Sequence, residues 1–277
     1  MEKKTILVLG ANGKTGSRVI DRLEKISDIE IRKGSRNEKV PFDWENPETW
    51  EPLLHGVNTV YITFQPDLAI PSAAETIAKF TTLATQQGIQ KMVLLSGRGE
   101  KEAQVCEEIV KKNAKSWTII RASWFNQNFS ESFFLDPILA GIVALPRAEA
   151  QEPFTDVDDI ADVVVESLLN DHHNGKTYEL TGPELLTFEK AVTVIAKAVN
   201  RNISFQGLTL KEYIQMLKDY QIPEDHILLI NYLFEEVLDG RNAHITSDIE
   251  KVLGRKAKDF TTYAEQTAKS GVWDITQ

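Results

Sequence analysis

The chain has 277 residues, 42% of them hydrophobic and 26% charged, with a net charge of -10 and a pI near 5.1. That size allows a full core and a second lobe, and the acidic balance excludes a protein whose main work is gripping nucleic acid, which needs a basic face. A lone cysteine, Cys106, excludes an internal disulfide, and no apolar run reaches the length of a membrane span or a signal peptide's apolar core, so a cytoplasmic chain is expected.

Residues 5–9 form a short β-branched-rich run without polar alternation, the pattern of a parallel strand buried on both faces. The run stops in a loop with glycine at every third position, Gly10, Gly13 and Gly16. Val19, Ile20, Leu23 and Ile26 then recur at helical spacing. A strand, a glycine-rich turn and a helix in that order gather backbone N–H groups and the positive end of a helix dipole at one spot, which suits a pyrophosphate. The spacing is G-x-x-G-x-x-G and not the G-x-G-x-x-G of the standard dinucleotide fingerprint. Its place between the first strand and the first helix makes Gly10, Asn12, Gly13, Lys14, Thr15 and Gly16 candidate cofactor-binding residues.

A second strand over 29–32 runs into Lys33-Gly34-Ser35-Arg36. In such folds an acid about twenty residues past the glycines bonds the ribose 2′-OH, whereas an arginine accommodates a 2′-phosphate. No acid stands at this strand end, so Ser35 and Arg36, with Lys33 and Lys39 nearby, predict NADP(H) over NAD(H); Glu38 is the neighbour that argues the other way. Residues 40–43 read as a short third strand, and Asn46-Pro47-Glu48 as a capped helix start running to about Leu54. The strand over 59–64 ends at Thr63 and Phe64, candidate cofactor neighbours because ligands on open α/β sheets lie outside the carboxyl ends of the strands. A helix over 72–87 and a strand over 91–95 follow, the strand closing on Ser96-Gly97.

Classical short-chain reductases carry Tyr-x-x-x-Lys on the helix after such a strand, the tyrosine serving as proton donor. The helix here, 101–113, has no tyrosine. A reductase built on this chain therefore takes an acceptor that needs no protonation, or draws the proton from water or another group. Ser96 is a candidate cofactor-binding residue and a candidate donor, with a structural role as its alternative, and no catalytic residue is assigned. The strand over 117–121 leads into a segment where Phe125, Asn126 and Asn128 are placed to border a nicotinamide; a packed loop with capping asparagines is the other reading.

A helix beginning near Asp158 and a strand over 177–180 return to the sheet, and from Thr187 helix follows helix, with a capping box at 247–250. The chain thus reads as α/β, a Rossmann-like doubly wound parallel sheet over 1–186 with a smaller, mostly helical C-terminal lobe over 187–277 for the substrate, and 122–153 contributing to the substrate side. The lobe's aromatics read as core. The histidines, at 55, 172, 173, 226 and 244, show no ligand spacing, and His172-His173 sits in an Asn/Asp/Gly loop that reads as solvated surface, so no metal site is expected.

With the glycine loop, Ser35-Arg36, Phe42-Asp43-Trp44, the Ser96-Gly97 turn and the run from Thr118 to Asn128 in place, the chain resembles the NmrA-like group of atypical short-chain dehydrogenases/reductases. Gly10 to Val19, Trp124 to Ser130 and the ending Thr246 to Arg255 resemble in particular the festuclavine/agroclavine dehydrogenase type and its bacterial relatives. The resemblance implies an NADP(H) site in which Gly10 to Gly16 hold the pyrophosphate, Arg36 meets the 2′-phosphate, Asp43 and Trp44 border the adenine, Thr63 and Phe64 line the ribose side, and Phe125 to Asn128 lie by the nicotinamide. Fungal members similarly lack the tyrosine motif and reduce an iminium, while other relatives include quinone and triphenylmethane dye reductases and a transcriptional co-regulator. Two functions follow as expectations. One is an NADPH-dependent reductase of an electron-poor small molecule, such as an iminium, quinone or cationic dye. The other is a non-catalytic NADP(H) sensor that binds a protein partner. Neither expects nucleic acid as main partner or a membrane, and the oligomeric state is left open.

Overall fold

In the computed structural model, which describes residues 3–275, strands β1 (Lys4–Leu9), β2 (Ile29–Gly34), β3 (Thr59–Ile62), β4 (Lys91–Gly97) and β5 (Ser116–Ala122) build one sheet. After β6 (Ile142–Pro146) and β7 (Gln151–Glu152), which lie elsewhere, β8 (Lys176–Leu180) completes it. The six strands are all parallel, in the order β2-β1-β3-β4-β5-β8. Strand β1 lies inside the sheet between β2 and β3, and its residues 5–9 are buried on both faces, as the unbroken apolar run requires. The chain leaves β1 for β2 on one side and returns to β3 on the other. The strand order therefore reverses beside β1, which opens a crevice at the carboxyl ends of β1 and β3.

Side chains alternate across the sheet. Leu7, Leu9, Val60, Ile62 and Leu94 pack with Trp50 of helix α2 (Trp50–Leu54), with Ile77 and Phe80 of α3 (Ala73–Gln86) and with Val110 of α4 (Lys101–Asn113). Helices α1 (Lys14–Leu23) and α6 (Val157–Leu169) pack on each other, α1 against β1 and α6 against β3, β4 and β5. On α6, Asp158 and Asp162 pair with Arg22 of α1, and Asp159 and Asp162 pair with Arg255.

Two compact units emerge in place of a single division at 186/187. The first comprises residues 1–122, 157–180 and 248–255; the second comprises 123–156, 181–247 and 256–277. Helix α10 (Asp248–Leu253), expected in the lobe, belongs to the sheet unit, where the Asp248 carboxylate accepts from the Glu179 N–H at 2.9 Å. The second unit holds helices α5 (Leu135–Ala140), α7 (Phe188–Ala198), α8 (Leu210–Asp219), α9 (Glu224–Tyr232) and α11 (Phe260–Lys269). It also holds strands that a purely helical reading lacks. Strand β10 (Ser204–Leu208) pairs in parallel with β6, and β7 pairs antiparallel with β9 (Leu186–Thr187). Its aromatics are core, with Phe129 against Phe260 at 5.4 Å and Phe154 against Phe188 at 5.2 Å between ring centroids.

The expected strand over 40–43 does not form. Phe42 is buried against Trp44, Trp50 and Phe80, its N–H goes to the Ser35 carbonyl, and the Asp43 carboxylate caps the Glu45 N–H at 3.0 Å. Local turn bonds and aromatic packing take the groups that a ladder would need.

Candidate functional site: a phosphate cradle at the strand crossover

The glycine loop is explained residue by residue. Gly10 has φ +64, and a Cβ there would meet Thr63 Oγ1 at 2.3 Å; a Cβ on Gly16 would meet the Gly10 carbonyl oxygen at 2.1 Å. The middle glycine closes the turn, its N–H donating to the Gly10 carbonyl at 2.8 Å. Gly13 is also the N-cap of α1, in extended backbone, and as a glycine it brings no capping side chain of its own. Backbone N–H groups at the positive end of a helix dipole suit an anion.

A cavity of about 250 Å³ opens above this turn. It brings together Gly10, Asn12, Gly13, Ser35, Arg36, Asp43, Trp44 and Thr63, all singled out in the sequence. Asn12 Nδ2 donates to Ser35 Oγ at 3.1 Å, tying the glycine turn to the end of β2. The Arg36 side chain is exposed and pairs with no acid among the described residues. Trp44 stands at the edge, its Nε1–H donating to the Thr63 carbonyl at 3.0 Å. Phe64 packs on Trp44 at 5.0 Å and is not among the residues lining the cavity. Gly34, Asn37, Phe42, Glu45 and Gln65 complete the lining and were not foreseen. Gly34 carried a readable signal, since it closes a strand where a Cβ would lie 2.6 Å from Leu9 Cδ2. A cradle that any side chain would fill, a helix that starts at a glycine and an exposed guanidinium without an acid partner among the described residues fit the pyrophosphate and 2′-phosphate of NADP(H).

Toward the carboxyl ends of β4 and β5 the unit holds a buried polar network. Ser96 Oγ donates to Glu107 Oε1 at 2.7 Å, and Arg121 donates to both Glu107 oxygens, Nε at 2.8 Å and the terminal nitrogen at 2.7 Å. Arg121 and Arg98 both reach Glu179, at 3.1 and 3.3 Å. The Ser96 hydroxyl thus serves Glu107.

In the second unit, Phe125 bridges to Thr155, and the Asn126 N–H donates to the Thr155 carbonyl at 2.9 Å. Asn126 Nδ2 and Gln127 Nε2 donate to Asp156 at 3.4 and 3.1 Å, and Lys258 pairs with the same carboxylate at 3.0 Å. Asn126 Oδ1 is buried with no partner, and Asn128 is half-buried. Asp156 and Lys258 carry no local motif and were missed.

The NmrA-like family model matches residues 100–267, more than half of the chain. The chain belongs to the NmrA-like family. This NmrA-like protein is 26% identical to prestalk A differentiation protein A of Dictyostelium discoideum, over 96% of its own length and 93% of that protein's. It is 25% identical to agroclavine dehydrogenase of Claviceps fusiformis, over 97% and 98%. The triphenylmethane reductase of Citrobacter sp., solved in complex with NADP(H), shares its fold with a TM-score of 0.80 at 17% identity, over 95% of this chain and 99% of that one. By sequence the NmrA-like chain stands with oxidoreductases.

One further pair of groups marks the strand ends of this NmrA-like protein. The carboxyls of Asp67, which accepts from the Ala69 N–H at 2.8 Å, and Glu100 meet each other. Glu100 Oε1 occupies the space a Gly97 Cβ would need, 1.9 Å away. Burial raises both pKa values, Glu100 well above the usual range with Asp67 adding to the effect. A raised folded-state pKa adds stability below the unfolded value and loses it as pH climbs through the folded value. Glu100→Gln, which keeps a donor for Asp67 without a titrating proton, is expected to flatten the loss of melting temperature from pH 5 to pH 9. Parallel wild-type and variant curves would show that the pair shares no proton.

Proposed function

We propose that this NmrA-like protein is an NADPH-dependent reductase acting in the cytoplasm on an electron-poor small molecule, such as an iminium, a quinone or a cationic dye. The observation that carries the reading is the unpaired Arg36 guanidinium in the same cavity as the glycine turn. In it, the backbone from Gly10 to Gly16 holds the pyrophosphate, Ser35 and Arg36 hold the 2′-phosphate, and Asp43 and Trp44 border the adenine. Thr63 and Phe64 serve the ribose side. For the nicotinamide the reading keeps Phe125, Asn126 and Asn128, and it gives the substrate to the second unit. The cofactor, when bound, supplies a hydride.

The protein's own part is to bind and orient. Helix α4 carries no tyrosine, and the Ser96 hydroxyl is spent on Glu107 at 2.7 Å. An acceptor that is cationic before reduction and neutral after it asks no proton of the protein, which favours C=N⁺ and cationic dyes. The test is the loss of NADPH absorbance with purified protein and a panel of cyclic iminium ions, quinones and triarylmethane cations. Turnover of a cationic acceptor is expected. Tight NADPH binding with no turnover in any class would overturn the reductase reading and leave the regulatory one; no NADPH binding would overturn both.

A further inference from the structure

The geometry points to a divalent-cation site in the first unit, apart from the cofactor cradle, formed by Glu166, His172 and His173. Glu166 lies in the last turn of α6, and the two histidines lie in the short turn that follows, before β8. One ligand atom from each residue falls within 4.8 Å of the others. The sequence spacing hides this, because the carboxylate comes from a helix that the turn folds back upon.

His173 supplies the deciding observation. Its side chain is 3% exposed, and Nδ1 lies 2.8 Å from the Tyr178 hydroxyl while Nε2 is buried with no hydrogen-bond partner. A buried polar atom without a partner is a costly exception. That nitrogen faces Glu166 Oε1 across 3.7 Å, too far for a hydrogen bond. The gap fits a metal ion, since bonds of about 2.0–2.2 Å from nitrogen and oxygen together span such a separation. The surrounding groups are those of an oriented site. The tautomer that donates from Nδ1 to the Tyr178 oxygen is the one that keeps a lone pair on Nε2 for a metal, and the Asn170 amide donates to Glu166 Oε1 at 2.7 Å, fixing the carboxylate. His172 lies against His173, the rings tilted by 43° with centroids 3.9 Å apart, and is exposed, so the third ligand comes from the solvent side and leaves room for water. The nearby cation, Lys91, is already neutralised by Asp171 at 2.8 Å.

Two imidazoles and one carboxylate select a late first-row divalent ion, zinc being the representative, over calcium or magnesium. Bound there, it would clip the end of α6 to the turn that leads into the edge strand β8. The test is equilibrium dialysis of the full chain against Zn²⁺ alone, with melting temperature as a second readout. One zinc per chain and a raised melting temperature are expected. His172→Ala, at an exposed position, and Glu166→Gln, nearly isosteric, should each weaken binding about 100-fold or more, and Tyr178→Phe, which removes only the orienting hydroxyl, about 10-fold. No zinc retained by the wild type, or affinity in His172→Ala and Glu166→Gln equal to it, would overturn the site.

Discussion

Replacing Glu107 with alanine is expected to cost about 3 kcal/mol of stability, the lower end of the range for breaking a buried ion pair by removing one partner. Glu107 is fully buried and its two oxygens serve three donors, Ser96 Oγ at 2.7 Å and the Arg121 fork at 2.8 and 2.7 Å. The bidentate pair is the strong form of this contact. Alanine leaves the Ser96 hydroxyl and two of the three Arg121 guanidinium nitrogens without these acceptors between α4 and the ends of β4 and β5. The cost stays at the lower end because Arg121 is 20% exposed and keeps Glu179 at 3.1 Å. At roughly 2–4 °C per kcal/mol the melting temperature should fall by about 6–12 °C. Ser96→Ala, which removes one donor and leaves the ion pair whole, should cost only about 1 kcal/mol. Thermal unfolding of both variants checks the order. Equal losses, or an unchanged melting temperature for Glu107→Ala, would mean that the network does not support the strand ends.

The parts of the fold that were legible in the sequence are those where chemistry and chain order coincide. The buried run of β1, the turn at Gly10, Gly13 and Gly16 and the start of α1 are contiguous, so pattern alone places the cradle. Arg36 was legible because the crossover between β1 and β2 has a standard length, which brings the end of β2 beside the glycine turn. Asp43 misled as a strand residue because its neighbours Phe42 and Trp44 look apolar and extended while their packing is aromatic and local. The partition of the chain was not legible. Asp248 is held by Glu179, 69 residues away, and β10 pairs with β6 across 62 residues between Ser204 and Ile142, links with no local trace. His173 belongs to the same class: a polar residue in an Asn/Asp/Gly loop is buried because Thr118 Oγ1 reaches its carbonyl at 2.9 Å and Tyr178 meets its ring.

Arg36 is the proposed reader of the 2′-phosphate, and its loss is the second large effect expected. Losing a charge-assisted contact to a phosphate costs about 1.5–3 kcal/mol, so Arg36→Ala should weaken NADPH roughly 10- to 150-fold. Because Arg36 is exposed, its contribution should shrink with added salt. NADH lacks the phosphate and meets the same glycine turn. The most direct measurement is therefore the dissociation constants of NADPH and NADH for the wild type and Arg36→Ala at one ionic strength. The wild type should prefer NADPH, and the variant should lose that preference while NADH binding stays unchanged. An equal loss for both cofactors, or no loss for NADPH, would contradict the assignment.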